Sequence, residues 1–140
     1  MKAISVRQPW ANMIASGKKT IETRTWSTRY RGRLAICSSK YAKPYIPPLG
    51  CLICVVTLVD CKVMTPEDEI AAQCPCPGIG ILYAWVLDDV DLYVPVKVRG
   101  QLGIYDLPFE ETDLTPDHLP PPEPETPLFG SLSHLKEEQP

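Results

Sequence analysis

Residues 17–26 read GKKTIETRTW. Gly17 is a natural turn residue, and after it the chain alternates as a β-strand does, with successive side chains on opposite faces. Over 19–26 the alternation sets Thr20, Glu22, Arg24 and Trp26 on one face, and Ile21, Thr23 and Thr25 on the other. The first face carries much charge for so short a strand. A solvated face, an ion-pair lock and the floor of a binding site would each account for it. On a solvated face a Glu22–Arg24 pair contributes about 0–1 kcal/mol and signifies little. Along a cavity wall the same pair holds a fixed geometry for reading a ligand. Trp26, with Trp10 from upstream, would then supply rings on which a nucleobase stacks. Tryptophan is more often a core residue than a platform.

The flanking sequence frames this strand. AISV (3–6) predicts a first strand, and QPWANMIASG (8–17) predicts a helix, with Trp10, Met13 and Ile14 at helical spacing and Gly17 as the stop. YRG (30–32) turns the chain into RLAICSS (33–39), and a long apolar strand runs from Cys51 to about Asp60. TPEDEIAAQ (65–73) predicts a short helix with Thr65 as N-cap, Pro66 at its first position and Asp68 three residues past the cap. GILYAWVLDD and LYVPVKV predict two further strands, Pro95 marking the second as an edge or a late start. GQLGIYDL ends the core. Strands dominate and two short helices interrupt them, so the expected fold class is α+β, mainly β, with a twisted, barrel-like sheet.

Charge is distributed unevenly. The net charge of the 140 residues is −3, yet residues 1–43 hold ten Lys and Arg against the single acid Glu22, while residues 107–140 hold eight acids against one lysine. A basic block of this kind is the usual electrostatic footprint of nucleic-acid binding, although basic turns also serve solubility. Half of the sixteen prolines fall in 108–140. We therefore expect one domain over 1–107 and an acidic, proline-rich tail over 108–140, disordered or loosely docked. LPPPEPETP (119–127) suits a polyproline-type segment, and Leu128, Phe129, Leu132 and Leu135 could dock it. No apolar run is long enough to span a membrane and no signal peptide is evident, so a cytoplasmic protein is expected.

The six cysteines suggest neither a disulfide framework nor a metal site. Cys51 and Cys54 lie within one apolar strand, where residues three apart point to opposite faces, which disfavours zinc. CPCPG (74–78) is a turn that could be redox-active. No metal or cofactor is expected. Lys19 is a candidate base or nucleophile if desolvated beside Glu22, though a lysine at a turn is ordinarily a solvated one. Ser38 and Ser39 could supply hydroxyl contacts, and Tyr30 and Arg31 phosphate contacts. His118 and His134 fall in the expected tail, which argues against histidine acid–base chemistry. No P-loop, dinucleotide-binding glycine pattern, HExxH or GxSxG motif is present.

The stretch ISVRQPWANMIASGKKTIETRTWSTRYRGRLAICSS resembles the ASCH domain, a branch of the PUA-like superfamily. A strand, QPWA, a helix, G-x-K-x-I-E-x-R-x-W, YRG and a strand ending in Ser carry the likeness. YAWVLDDVDLYVPVKVRGQLGIYDL is similar to the family's aromatic strand, proline-containing strand and terminal G-x-x-G-aromatic, so the resemblance covers about residues 2–107. It implies a PUA-like twisted β-barrel with a cleft between barrel and first helix, holding RNA or a modified nucleoside. In the binding reading the candidate ligand residues are Gln8, Trp10, Lys19, Glu22, Arg24, Trp26, Tyr30, Arg31 and Ser38, with Tyr83 or Trp85 as further walls. Some small bacterial ASCH proteins are amidohydrolases that deacetylate N4-acetylcytidine with a Lys, a Thr nucleophile three residues later and a distant Glu. Lys19 matches that lysine, and Glu22 stands at the position of the nucleophilic Thr. Ribonuclease activity is also associated with the family. The resemblance thus implies a monomeric RNA- or nucleoside-binding domain. Its alternatives are an amidohydrolase using Lys19 and Glu22, and a non-catalytic adaptor acting through its tail.

Overall fold

The computed structural model describes residues 1–41 and 46–122. Leu128, Phe129, Leu132, Leu135 and His134 lie outside the described residues, as does the proline-rich run from 123 onward. In chain order the elements are β1 (Lys2–Val6), α1 (Trp10–Ser16), β2 (Ile21–Arg24), β3 (Gly32–Ser38) and β4 (Cys51–Val63). A 3₁₀ turn (Pro66–Asp68) then runs into α2 (Glu69–Ala72), followed by β5 (Tyr83–Lys97) and β6 (Tyr105–Asp106). The strands form one sheet in the order β2-β5-β4-β3-β1-β6. Only β1 and β3 run parallel, and their carboxyl ends therefore lie side by side.

The ladder is not closed, since β2 and β6 each have a single strand neighbour. The barrel-like shape comes from curl instead. Arg24, on edge strand β2, reaches across the seam and donates from Nη2 to the Ser5 carbonyl of β1 at 2.7 Å. The two strands expected over 80–98 are one continuous strand of 15 residues, β5, with Asp89 taking the left-handed bend at φ 51°. Pro95 is tolerated for two reasons. β2 pairs only with Tyr83–Val86, and the 115–117 segment that meets that edge of β5 further on does so through the Tyr93–Pro116 bridge, with hydrogen bonds at Leu92 and Val94, and the β4–β5 register shifts between Leu52 and Cys54, opposite Pro95.

A different register shift, between β3 and β4 at Ile36/Cys37, gives β4 one extra residue and sorts the core. On β1 and β3 the alternation is regular: Ile4, Val6, Leu34 and Ile36 face the main cluster, and Ala3, Ala35 and Cys37 the second. On β4, Leu52 faces the second cluster, Ile53 and Cys54 both face the main one, and Val55 returns to the second. One extra residue in the strand resets its phase. Helix α1 covers the main cluster with Ala11, Ile14 and Ala15, and Gly17 ends it in the left-handed conformation (φ 85°), its N–H bonded to the Ile14 carbonyl. Thr65 and Asp68 form the expected capping box.

The second cluster is covered by the chain after β6. Leu107, Phe109 and Leu114 pack on it, so the first part of the acidic segment is docked. Arg33 locks it there. Its guanidinium meets Glu111 in two parallel bonds (Nε–Oε1 3.0 Å, Nη2–Oε2 2.6 Å) and also donates to Asp91 Oδ2 at 2.6 Å. The Tyr93 hydroxyl donates to Glu111 Oε2 at 2.7 Å. The Arg33 hydrogen bonds hold the Glu111 carboxyl below its ordinary range. A carboxyl whose folded pKa is depressed contributes stability that is present above its unfolded pKa and lost as pH falls through the folded one. Thermal melts between pH 7 and pH 3 should show a steeper acid loss for the wild type than for Glu111→Gln, the curves converging at the acid end. Parallel curves would remove Glu111 as the titrating lock.

Candidate functional site

An open cleft of about 910 Å³ lies where the carboxyl ends of β1 and β3, edge strand β2 and the 98–103 loop converge. Its floor is the charged strand. Lys19 (2% exposed) and Glu22 (7%) are buried there. Hydrogen bonds from the Lys19 amide to the Met13 carbonyl (3.0 Å) and from the Thr20 amide to the Ala71 carbonyl (2.9 Å) fix the entry to β2 between α1 and α2. The Lys19 ammonium donates to the carbonyl of Ala72, the last residue of α2, which lacks an intrahelical partner. It also stands 3.6 Å from Glu22 Oε1. Glu22 Oε2 accepts from Arg24 Nη2 at 2.9 Å, and Oε1 accepts from the Thr23 amide at 3.1 Å. Burial pushes the Lys19 ammonium below its ordinary pKa, against the opposing pull of Glu22 and Cys74. Arg24 Nε is buried and has no hydrogen-bond partner among the described residues.

Of the residues singled out in the sequence, Trp10, Lys19, Glu22, Arg24 and Ser38 line this cleft together. The hydroxyl of Ser38 is engaged with the backbone of Cys51, accepting from its N–H at 3.1 Å and donating to its carbonyl at 3.2 Å. The others are placed elsewhere. Gln8 is buried and holds Asn12 and the Pro48 carbonyl, so its amide organises the start of α1. Trp26 packs edge-on against the buried Trp85 at 4.8 Å, and its carbonyl accepts from Trp85 Nε1, so neither ring nor Tyr83 lines the cleft. Tyr30 packs against the main cluster and donates its hydroxyl to the Arg33 carbonyl. Arg31 bonds the carbonyls of Thr28 and Tyr30 and faces Asp60 at 3.7 Å. Thr23, expected on the far face, has its hydroxyl 3.7 Å from Cys74 Sγ, and both residues border the cleft.

Sequence reasoning missed the rim. Arg7, Lys40 and Arg99 line it, with Gln101, beside the Ser39 that the sequence did single out. The only signals were local: Arg7 directly precedes QPW, and Arg99 opens the RGQLG loop. Five basic side chains and one acid line the whole cleft. All six cysteines are free thiols. Among the described residues no three His, Cys, Asp or Glu side chains are grouped to hold a metal ion, and no helix is long and apolar enough to cross a membrane.

A mainly β sheet of this order, curled around a cleft beside its first helix, defines a PUA-like domain. The chain belongs to the ASCH domain family, whose model matches residues 4–102. It is 34% identical to human activating signal cointegrator 1 and 30% identical to the mouse protein, in alignments covering 41% of this chain and 14% of each relative. The chain thus matches about one seventh of the length of these relatives. Among solved structures it is similar to ASCH from Zymomonas mobilis, with TM-score 0.63 at 19% identity over 80% of this chain and 90% of that one. A point mutant of the Zymomonas protein gives TM-score 0.59 at 18% identity over 80% and 93%. At these identities the structural likeness speaks for the fold.

The floor has a testable energetic signature. Truncating one member of a buried ion pair strands its partner and costs on the order of 3 kcal/mol. Glu22→Ala should lower stability by about that amount in urea unfolding. Lys19→Met with Glu22→Ala together should recover a large part of it, whereas strictly additive losses would mean that the two groups do not interact.

Proposed function

We propose that this domain binds single-stranded RNA, taking one base into the cleft. The observation that carries the reading is the Lys19–Glu22–Arg24 chain, its first two members buried, at the floor of a cleft whose lining is otherwise basic. The buried floor groups are held in place before a ligand arrives, so little ordering cost remains to be met on binding. Trp10, partly buried beside them, offers a ring at the wall, and base–aromatic stacking contributes about 1–3 kcal/mol per base. The basic rim attracts phosphate, which makes affinity fall as salt rises. The family is associated with RNA binding, and the resemblance to it implies a ligand cleft between the sheet and the first helix, which supports this location.

Titrating a short single-stranded RNA into isotope-labelled protein tests the reading. The side-chain signals of Trp10, Lys19 and Arg24 should shift, while Trp26 and Arg31 stay in place, and raising salt from about 50 to about 200 mM should weaken binding at least roughly tenfold. Shifts centred on Trp26 and Arg31 would move the site to another face.

A second reading, deacylation of an N4-acetylcytidine-type nucleoside, is favoured by one feature: Lys19 is desolvated and its proton loosened beside a carboxylate. Glu22 would activate a water, and Lys19 would stabilise the oxyanion. This reading predicts that free acetate appears on incubation with N4-acetylcytidine, and that Glu22→Gln binds the nucleoside yet releases none. Intact nucleoside after prolonged incubation would dismiss it.

A further inference from the structure

The rim of the cleft gathers exposed cations, Arg7, Lys40 and Arg99, along one opening. Several cations elsewhere on this chain are neutralised internally: Lys2 by Asp106, Arg31 by Asp60, Arg33 by Asp91 and Glu111, Lys62 by Asp68. Arg7 and Arg99 are exposed and have no carboxylate partner among the described residues. Lys40 has none either, and its ammonium lies 5.3 Å from the Tyr41 ring centre.

These three cations come from three separate segments, and the backbone brings the segments together. Arg7 follows Val6 at the carboxyl end of β1, whose carbonyl accepts from the Ser39 amide at 2.8 Å, so Arg7 and Lys40 leave two parallel strands at one level. The Val98 amide donates to the Gly50 carbonyl at 3.0 Å, and a Cβ built on Gly50 would lie 3.8 Å from Lys40 Cβ. Gly100 lies against Ser5: a Cβ there would meet Ser5 Oγ at 3.0 Å, and that oxygen is tied to the Tyr105 hydroxyl at 2.8 Å. A side chain at Gly100 would press on Ser5 Oγ, so glycine eases the approach that brings the Arg99 segment to β1. The floor lies just below, since Arg24 bonds the Ser5 carbonyl.

Three unpaired cations held at one end of a cleft, above a polar floor, match a nucleotide more closely than a bare nucleoside. We infer that Arg7, Lys40 and Arg99 form a phosphate subsite, so that the ligand is a nucleotide whose base faces Lys19 and Arg24 while its phosphate lies against the rim. The inference rests on the RNA-binding reading and names the class of ligand that the same cleft takes. The two arginines present planar forks suited to paired phosphate oxygens, and Lys40 adds a point charge.

Calorimetry with the four ribonucleosides, the four 5′-monophosphates and a mixed-sequence octameric single-stranded RNA tests this on wild type, Arg7→Ala, Arg99→Ala and the control Arg31→Ala. At least one monophosphate should bind about tenfold or more tighter than its nucleoside. Each rim variant should erase most of that advantage and leave nucleoside affinity unchanged, and Arg31→Ala should behave as wild type. Arg99→Lys should restore part of the loss. The rim arginines are exposed, and thermal melts of the variants should match wild type. Equal affinity for nucleoside and monophosphate, with RNA still bound, would overturn the phosphate subsite and leave the RNA reading standing. Full RNA affinity in the Arg7→Ala, Arg99→Ala double variant would do the same. Absence of binding by every probe would overturn the RNA reading and the subsite with it.

Discussion

Arg24 ties one edge of an open sheet, β2, to β1, the strand next to the opposite edge. In the ladder β2 and β1 are separated by three intervening strands, yet the Arg24 guanidinium spans them, with Glu22 Oε2 at 2.9 Å on its own strand and the Ser5 carbonyl at 2.7 Å across the seam. A backbone ladder there would seal the barrel and fill the cleft. A long side chain holds the seam at a fixed width and leaves room above it. The same chemistry protects the edge, because charged side chains on an edge strand discourage pairing with another chain. The strand's charge is thus structural lock and cleft floor at once, and those two explanations were never exclusive.

The placement of charge follows from how the two cores are covered. The β4 bulge lets one strand supply side chains to both faces, and α1 covers only the main one. The second face is covered by a segment carrying few apolar residues, Leu107, Phe109 and Leu114, so it needs a further hold, and Arg33 with Glu111 supplies it. The basic block of residues 1–43 is accordingly divided in use. Arg31 and Arg33 are bound to this chain's own acids, and Arg7 is not. Net charge by region overstates the surface available to a polyanion, and pairing within the structure corrects it.

Much of this was legible in the sequence where a local rule governs. The αL stop at Gly17 and the Thr65–Asp68 capping box depend on neighbours in the chain, and the Glu22–Arg24 pair depends on the two-residue period of a strand. What a strand face packs against is not a local property. Trp26 shares the period of Glu22 and Arg24 but lies beyond the end of β2, where Trp85 receives it. Gln8 stands next to the cleft in sequence, and the backbone near α1 claims its amide. The VLDDVD stretch looked like a break between strands, whereas one residue in the left-handed region, Asp89, lets the strand bend and continue. Arg99 was invisible because its position depends on Gly100 approaching Ser5, a contact between opposite ends of the domain's sequence.

The hydrogen-bond inventory of the floor bears on what it can recognise. Glu22 is largely committed: Oε1 serves the Thr23 amide and faces Lys19, and Oε2 serves Arg24. As a general base it would first have to surrender one of these partners, at a cost that a buried carboxylate does not meet lightly. The cations are less committed. An ammonium has three donors and a guanidinium five. Lys19 spends one on Ala72 and directs another toward Glu22, while Arg24 spends Nη2 and leaves Nε without a partner. The floor therefore offers more donors than acceptors. A base that presents carbonyl oxygens or ring nitrogens to it would be matched better than one presenting amino groups. The rim asks for an anion for the same reason of charge. In the proposed binding reading, fixed donors below would set which base edge is accepted, and exposed, salt-screened cations above would set how strongly the chain that carries it is held.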